Sequence, residues 1–281
     1  WLPGVLSSMH IACRSICNVN DSVLTPSVAY PYFHSAPGLS GRGTQAMAMI
    51  QSNRRWVVDQ KKLALQSDSS SKLMLFCSPH NPGGDVYTRS ELSALADLAV
   101  TNDLVVCSDE IHCDLVLEPG MSHIPIASLN KAIEKRSITL MAPSKTFNIA
   151  GLSCSFAIIP DDSIRRKFTK ACTGIIPYLN LLGTTAAQAA YEHGGDWNNQ
   201  QVIYLRANRD YLVAELNQIR GLKLDPVEAT YLAWIDVTEL RLTDSKLFFE
   251  KAGVGLSAGS DFGDDNYLRL NFGCPRSLLE E

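Results

Sequence analysis

Leu104-Val105-Val106-Cys107-Ser108-Asp109-Glu110-Ile111-His112-Cys113-Asp114 carries an apolar run straight into an acidic cluster. Leu104–Ser108 reads as a short strand buried on both faces, and carboxylates at the carboxyl end of such a strand lie where open α/β sheets bind their ligands. Comparable runs predict strands at Ser22–Thr25, Ala46–Gln51, Lys72–Cys77, Ser137–Ala142 and Cys154–Ile159. Stretches of helical period fill the gaps, near Val5–Asn18, Thr88–Thr101 and Asp161–Ala171. Thr88 with Glu91 three residues on forms a capping box. The alternation predicts an α/β protein whose sheet is covered on both faces.

Between Trp197 and about Arg220, Val202, Leu205, Leu212, Leu216 and Ile219 recur at helical spacing with no Pro or Gly inside. This predicts one long helix joining a large domain, residues 1–199, to a smaller α/β domain, residues 200–281. The smaller unit has expected strands at Tyr231–Asp236 and Tyr267–Phe272 and a helix near Ser245–Ala252. The polar run Asp68–Ser71 reads as a solvated loop.

The chain has 281 residues, 46% of them hydrophobic and 19% charged, which suits one large or two medium globular domains. A net charge of -4, with no basic patch, argues against nucleic acid or anionic lipid as partner. No apolar run approaches the roughly 20 residues of a membrane span. Eight scattered cysteines in a chain too large to need staples suit reduced thiols in a cytoplasmic protein. The chain opens at Trp1 without a signal-peptide pattern and stops at Glu281 in what reads as an opening helix. It is therefore expected to be a fragment whose true start is missing.

Three stretches carry chemistry. In Ala142-Pro143-Ser144-Lys145-Thr146-Phe147-Asn148-Ile149-Ala150-Gly151-Leu152, a lysine follows a strand in largely apolar surroundings. Desolvation disfavours the ammonium, and a free amine condenses with an aldehyde. Taken alone, the segment describes a surface lysine in a turn better than a reactive one. Asp109 is placed to hold a proton on a heterocyclic nitrogen, although with Glu110 it also looks like a capping pair. In Phe76-Cys77-Ser78-Pro79-His80-Asn81-Pro82-Gly83-Gly84, Pro and Gly shape a rigid turn that leaves the Asn81 amide free to donate to a bound oxygen.

Together, in the order Asn-Pro-Gly-Gly, Asp-Glu-Ile-His, Ser-Lys-Thr-Phe-Asn-Ile-Ala-Gly-Leu and Tyr-Leu-Arg-Leu-Asn-Phe-Gly-Cys-Pro-Arg-Ser, these motifs resemble the fold-type I pyridoxal-phosphate enzymes of the class I/II aminotransferase family. Within it the similarity is strongest to carbon–sulfur lyases of the MalY/PatB, or cystathionine β-lyase, type. The resemblance covers essentially the whole chain. It implies a three-layer α/β/α large domain with a mainly parallel mixed sheet, pyridoxal 5'-phosphate as cofactor, a small amino-acid substrate and a homodimer. The family's N-terminal arm would precede the point where this chain begins.

By the same resemblance, Lys145 holds the cofactor covalently and later moves the α proton, and Ser144 beside it is a further cofactor contact. Asp109 pairs with the ring nitrogen, Asn81 bonds the ring 3-oxygen and Tyr30 stacks on the ring. Gly4 and Val5, where a helix opens, contact the phosphate, and Arg269 grips the substrate α-carboxylate. His112 stands where aminotransferases often carry a tyrosine and is expected to line the site. Ser153 replaces an arginine that many aminotransferases carry eight residues after the lysine and that lyase-like members lack. That departure favours a β-lyase over an aminotransferase, with a regulatory binding protein as a third reading. Arg276, at the start of the last helix, is expected to face solvent. His10, Cys13 and Cys17 share one helical face, which describes a buried apolar face better than a metal site.

Overall fold

The structure, a computed structural model, describes residues 1–66 and 68–281. Six strands form the main sheet: β1 (Ser22–Pro26), β2 (Gly43–Met47), β5 (Ser71–Cys77), β6 (Val105–Asp109), β7 (Ser137–Met141) and β8 (Phe156–Ile158). Their order is β2-β1-β5-β6-β7-β8, parallel except for β8, which runs antiparallel to β7. A hairpin of β3 (Met49–Ser52) and β4 (Arg55–Val58) stands apart. A second, antiparallel sheet is ordered β11-β12-β10-β9, from β9 (Lys223–Leu224), β10 (Leu232–Asp236), β11 (Ser257–Ala258) and β12 (Tyr267–Asn271).

The helices are α1 (Val5–Ile16), α2 (Pro31–Leu39), α3 (Gln60–Gln66), α4 (Arg89–Thr101), α5 (Lys131–Glu134), α6 (Asp162–Cys172), α7 (Leu181–His193), α8 (Gly195–Leu216), α9 (Ser245–Lys251) and α10 (Arg276–Glu280). Successive strand residues face opposite ways, and β5 shows how this builds three layers. Leu73, Leu75 and Cys77 join Met9, Ile11 and Cys13 of α1 and Phe168 of α6 in one core. Met74 and Phe76 join Leu92, Leu95 and Ala99 of α4 in the other. A third core, around Leu205 and Leu212 of α8, packs against Ile235 and Leu268 of the second sheet. The fold is thus α/β with helices on both faces of a mostly parallel sheet. Among the described residues, no helix is long and apolar enough to cross a membrane.

The expected strand at Ala46–Gln51 is two strands. The chain leaves the main sheet at Ala48, where the Ser27 amide donates to Met47 O at 2.8 Å and Ser27 Oγ accepts from Met49 N at 2.9 Å. One residue on a neighbouring turn therefore bonds both sides of the break. Ser71 is not in a solvated loop either: it opens β5, is buried, and donates to Gln45 Oε1 at 2.6 Å. Arg276 is half-buried, with Nε donating to Asn208 Oδ1 at 3.0 Å and its guanidinium 4.6 Å from the Tyr211 ring centre. The capping box forms as expected, Thr88 N donating to Glu91 Oε2 at 2.7 Å and Glu91 N to Thr88 Oγ1 at 3.3 Å. His10 pairs with Ser40, while Cys13 and Cys17 are buried in the core.

Candidate active site

The carboxyl ends of β5, β6 and β7 converge, and each delivers one of the residues singled out from sequence. Alternation along β6 turns Cys107 and Asp109 toward the α1 face, and Asp109 ends the strand buried, Oδ1 accepting from Ile111 N at 3.1 Å. Beyond β5 the turn is pinned by His80, whose Nε2 lies 2.9 Å from Val28 O, while His80 N donates to Asp85 O and Gly84 N to His80 O. A side chain at Gly83 would run into Asp85 Oδ2 and lie 2.7 Å from His80 Nδ1, so this close approach requires glycine. The turn presents Asn81, itself buried.

After β7 the chain folds into a tight turn, with Phe147 N donating to Pro143 O at 2.9 Å and Ile149 N to Ser144 O at 3.1 Å. Gln201 of α8 donates to Thr146 O at 2.8 Å, so the long helix holds the turn that carries Lys145. From the second sheet, β12 brings Arg269 beside Asn81: Nη1 donates to Asn81 Oδ1 at 3.1 Å across 188 residues of sequence. The guanidinium lies 4.4 Å above the Phe262 ring, which fixes its plane.

These groups surround one cavity of about 330 Å³, within the ~300–1,000 Å³ typical of small-molecule sites. Gly4 and Val5 line it at the start of α1, and Tyr30, Asn81, Asp109 and His112 line its middle. Lys145 and Arg269 close the set. Ser144 is the exception: it sits in the turn before Lys145 and is not on the cavity wall. Ser153 is exposed and outside it. Sequence reasoning missed Tyr231 and Asn271, which enter from the second sheet. Neither carries a local signal, because each looks like an ordinary residue at a strand end. A larger cavity of about 750 Å³ between Trp1, Tyr178 and Tyr191 holds one carboxylate, Glu192, and no lysine or arginine on its walls. Volume alone would have chosen the wrong place.

Burial governs the electrostatics. It pushes the Asp109 carboxyl up to about 7, with Glu110 adding to the rise and Lys145 opposing it. Burial pushes His112 down to about 3, helped by Lys145 and Arg269, so its imidazole is neutral. His112 Nδ1 is buried without a hydrogen-bond partner among the described residues, and its ring stands edge-on to Tyr231, centres 6.1 Å apart. Burial also raises Tyr30 and Tyr231 and lowers Arg269. At the start of α1, Gly4 offers no side-chain cap and the first turn holds no acidic residue. Its first amides, which have no acceptor within the helix, are thus left for an anion.

The set fits pyridoxal phosphate. The open helix start suits a phosphate dianion, a buried carboxylate that ionises reluctantly is satisfied by a protonated ring nitrogen, and Asn81 and His112 offer uncommitted polar atoms to the ring's edge. Fold and cavity together define a fold-type I pyridoxal-phosphate-dependent protein. The chain belongs to the aminotransferase class I and II family, whose profile matches residues 2–281, and its cofactor is pyridoxal 5'-phosphate.

Relatives narrow the picture. Over 291 residues the chain is 34% identical to cystathionine β-lyase PatB of Bacillus subtilis, covering 99% of this chain and 74% of PatB. The crystal structure of OvoB superposes with a TM-score of 0.97 at 48% identity, covering 99% of this chain and 74% of that one. Cystalysin from Treponema denticola, solved with pyridoxal 5'-phosphate, gives 0.94 at 31% identity with coverage of 99% and 73%. Carbon–sulfur lyases are thus well represented among its relatives.

Proposed function

We propose that this protein is a pyridoxal-phosphate-dependent carbon–sulfur β-lyase, cleaving cystathionine or a cysteine-type amino acid to a thiol, pyruvate and ammonia. The observation that carries the reading is the Arg269–Asn81 contact, which sets a carboxylate-binding fork beside Lys145 and Asp109 in one cavity. Bound pyridoxal phosphate supplies an aldehyde for the substrate amine and a ring that accepts the electron pair freed at Cα.

The chain's own groups do the rest. Arg269 holds the α-carboxylate through its planar fork, orienting Cα toward Lys145. The Lys145 amine takes the Cα proton as general base. Asp109 keeps the proton on the ring nitrogen. Asn81 has its Oδ1 committed to Arg269, so its amide nitrogen is the atom left to donate to the ring oxygen. The first amides of α1 at Gly4 and Val5 hold the phosphate, and Tyr30 covers the ring face. The proton that Lys145 has taken would then be available to the sulfur that leaves Cβ.

Similarity to cystathionine β-lyase PatB supports lyase over transaminase chemistry, as does the exposed serine at position 153. We further infer a homodimer, which exposed Tyr178, Leu181 and Leu182 support, and a division into residues 1–199 and 200–281. The uniformly free cysteines support a cytoplasmic location. The test is pyruvate and thiol release from L-cystathionine by the cofactor-loaded protein and by Lys145→Ala. Release that vanishes in the variant is expected. Amino transfer to a 2-oxo acid without pyruvate would make it an aminotransferase, and full biological effect from Lys145→Ala would make it a binding protein.

A further inference from the structure

Directly behind Asp109 lies a second ionisable pair that the mechanism above does not use. The ladder continues one residue past β6, with Glu110 N donating to Leu140 O at 2.9 Å, so alternation turns the Glu110 side chain to the face opposite Asp109. There it is completely buried. Oε1 accepts from Ser108 Oγ at 2.9 Å, and Oε2 lies 2.8 Å from His123 Nε2. His123 comes from the loop between β6 and the short helical turn Ile126–Ser128, and its Nδ1 is buried with no partner among the described residues. Neither residue lines the cavity. A buried carboxylate with both oxygens engaged is costly to build, and it stands one residue from the group that faces the ring nitrogen.

We propose that Glu110, clamped by Ser108 and His123, is a positioning residue for Asp109: it fixes the turn that aims the Asp109 carboxylate into the cavity and places a second carboxylate behind it. The inference rests on the reading that Asp109 pairs with the ring nitrogen. The titratable groups on the Asp109 side are Lys145 from the turn after β7, Tyr30 from the start of α2, Cys77 from the end of β5, His112 and Arg269, while Glu110 lies behind it. Of these, Lys145 opposes the rise at Asp109 and Glu110 adds to it. A carboxylate so placed raises the proton affinity of Asp109 and of the ring nitrogen that shares its proton, opposing loss of that proton.

The experiment uses the protein loaded with pyridoxal phosphate isotope-labelled at the ring nitrogen, whose NMR shift reports ring protonation against pH. Glu110→Gln keeps the size and removes the charge. Its ring-deprotonation midpoint should fall by about one pH unit, the effect of one partly screened like charge nearby, while the apoprotein melts within a few degrees of the parent. His123→Gln retains the Glu110 charge and a donor, and its midpoint should hold or rise. An unshifted midpoint in Glu110→Gln, or a fall in His123→Gln, overturns the proposal. Should Glu110→Gln not fold, the Glu110→Gln/His123→Asn double variant is read by the same criterion. Asp109→Asn separates the two layers: if it leaves ring protonation untouched, the Asp109 reading itself has failed.

Discussion

Replacing Arg269 by lysine tests the site where its two sheets meet. The guanidinium uses Nη1 on Asn81 Oδ1 at 3.1 Å, reaches Ser257 Oγ from Nη2 at only 3.5 Å and stacks 4.4 Å above Phe262, which fixes its plane for a carboxylate. Lysine keeps the charge but is a compact point donor, so it cannot serve both carboxylate oxygens and Asn81 together. Losing one charge-assisted hydrogen bond costs about 1.5–3 kcal/mol, which is a ~10- to 150-fold fall in kcat/KM at about 1.4 kcal/mol per decade. The α-carboxylate keeps its charge while the Cα proton leaves, so the lost contact serves ground and transition states alike. The fall should therefore appear as a raised KM, with kcat changing less than about threefold. The assay is pyruvate release against L-cystathionine concentration, with the cofactor absorbance near ~420 nm as a check that loading is unchanged. A KM within about threefold of the parent would refute the assignment of Arg269.

Other perturbations probe the same cavity and its supports. Burial raises the Asp109 carboxyl from 3.8 to about 7, so between those values the folded apoprotein holds a proton that the unfolded chain has released, and stability falls as pH rises through that window. Asp109→Asn apoprotein should match the parent near pH ~4 and melt above it near pH ~8; an equal offset at both ends in thermal melts would contradict this. With His112 pushed down to about 3, its ring-proton NMR shift should stay flat from about pH 5 to pH 8, and a midpoint near 6.5 would mean that water reaches the ring. Gly83→Ala drives a methyl into Asp85 and His80 and should weaken cofactor binding at least about tenfold by displacing Asn81, an effect of the size expected for overpacking; equilibrium dialysis with unchanged affinity would sink it. Thr88→Ala removes the Glu91 amide's acceptor and should cost about 0.5–2 kcal/mol in urea denaturation.

Where local chemistry decides an element, the chain announced it. The capping box at Thr88 and Glu91 needs only residues three apart, and the Leu73, Leu75 and Cys77 alternation needs only a strand. Where a partner far along the chain decides, it did not. The break after Met47 depends on Ser27, and α7 has an exposed, weakly patterned surface that no periodicity marks. Arg276 reads as a surface residue until α8 brings Asn208 and Tyr211 against it.

The candidate site divides the same way. Lys145, Asp109 and Asn81 were legible because strand ends followed by turns expose backbone and side chains toward a ligand, a consequence of sheet geometry that each segment carries within itself. Tyr231, Asn271, the Glu110–His123 pair and the failure of Ser144 to reach the wall were not legible. These features depend on which segments meet once two sheets and α8 have packed, and contacts such as Arg269 to Asn81 join residues 188 apart. Amino-acid order thus determined the strands, their alternation and the residues with reactive chemistry. Tertiary structure alone decided which of them share a buried, low-dielectric space, and burial is what moves Asp109 and His112 away from their ordinary protonation.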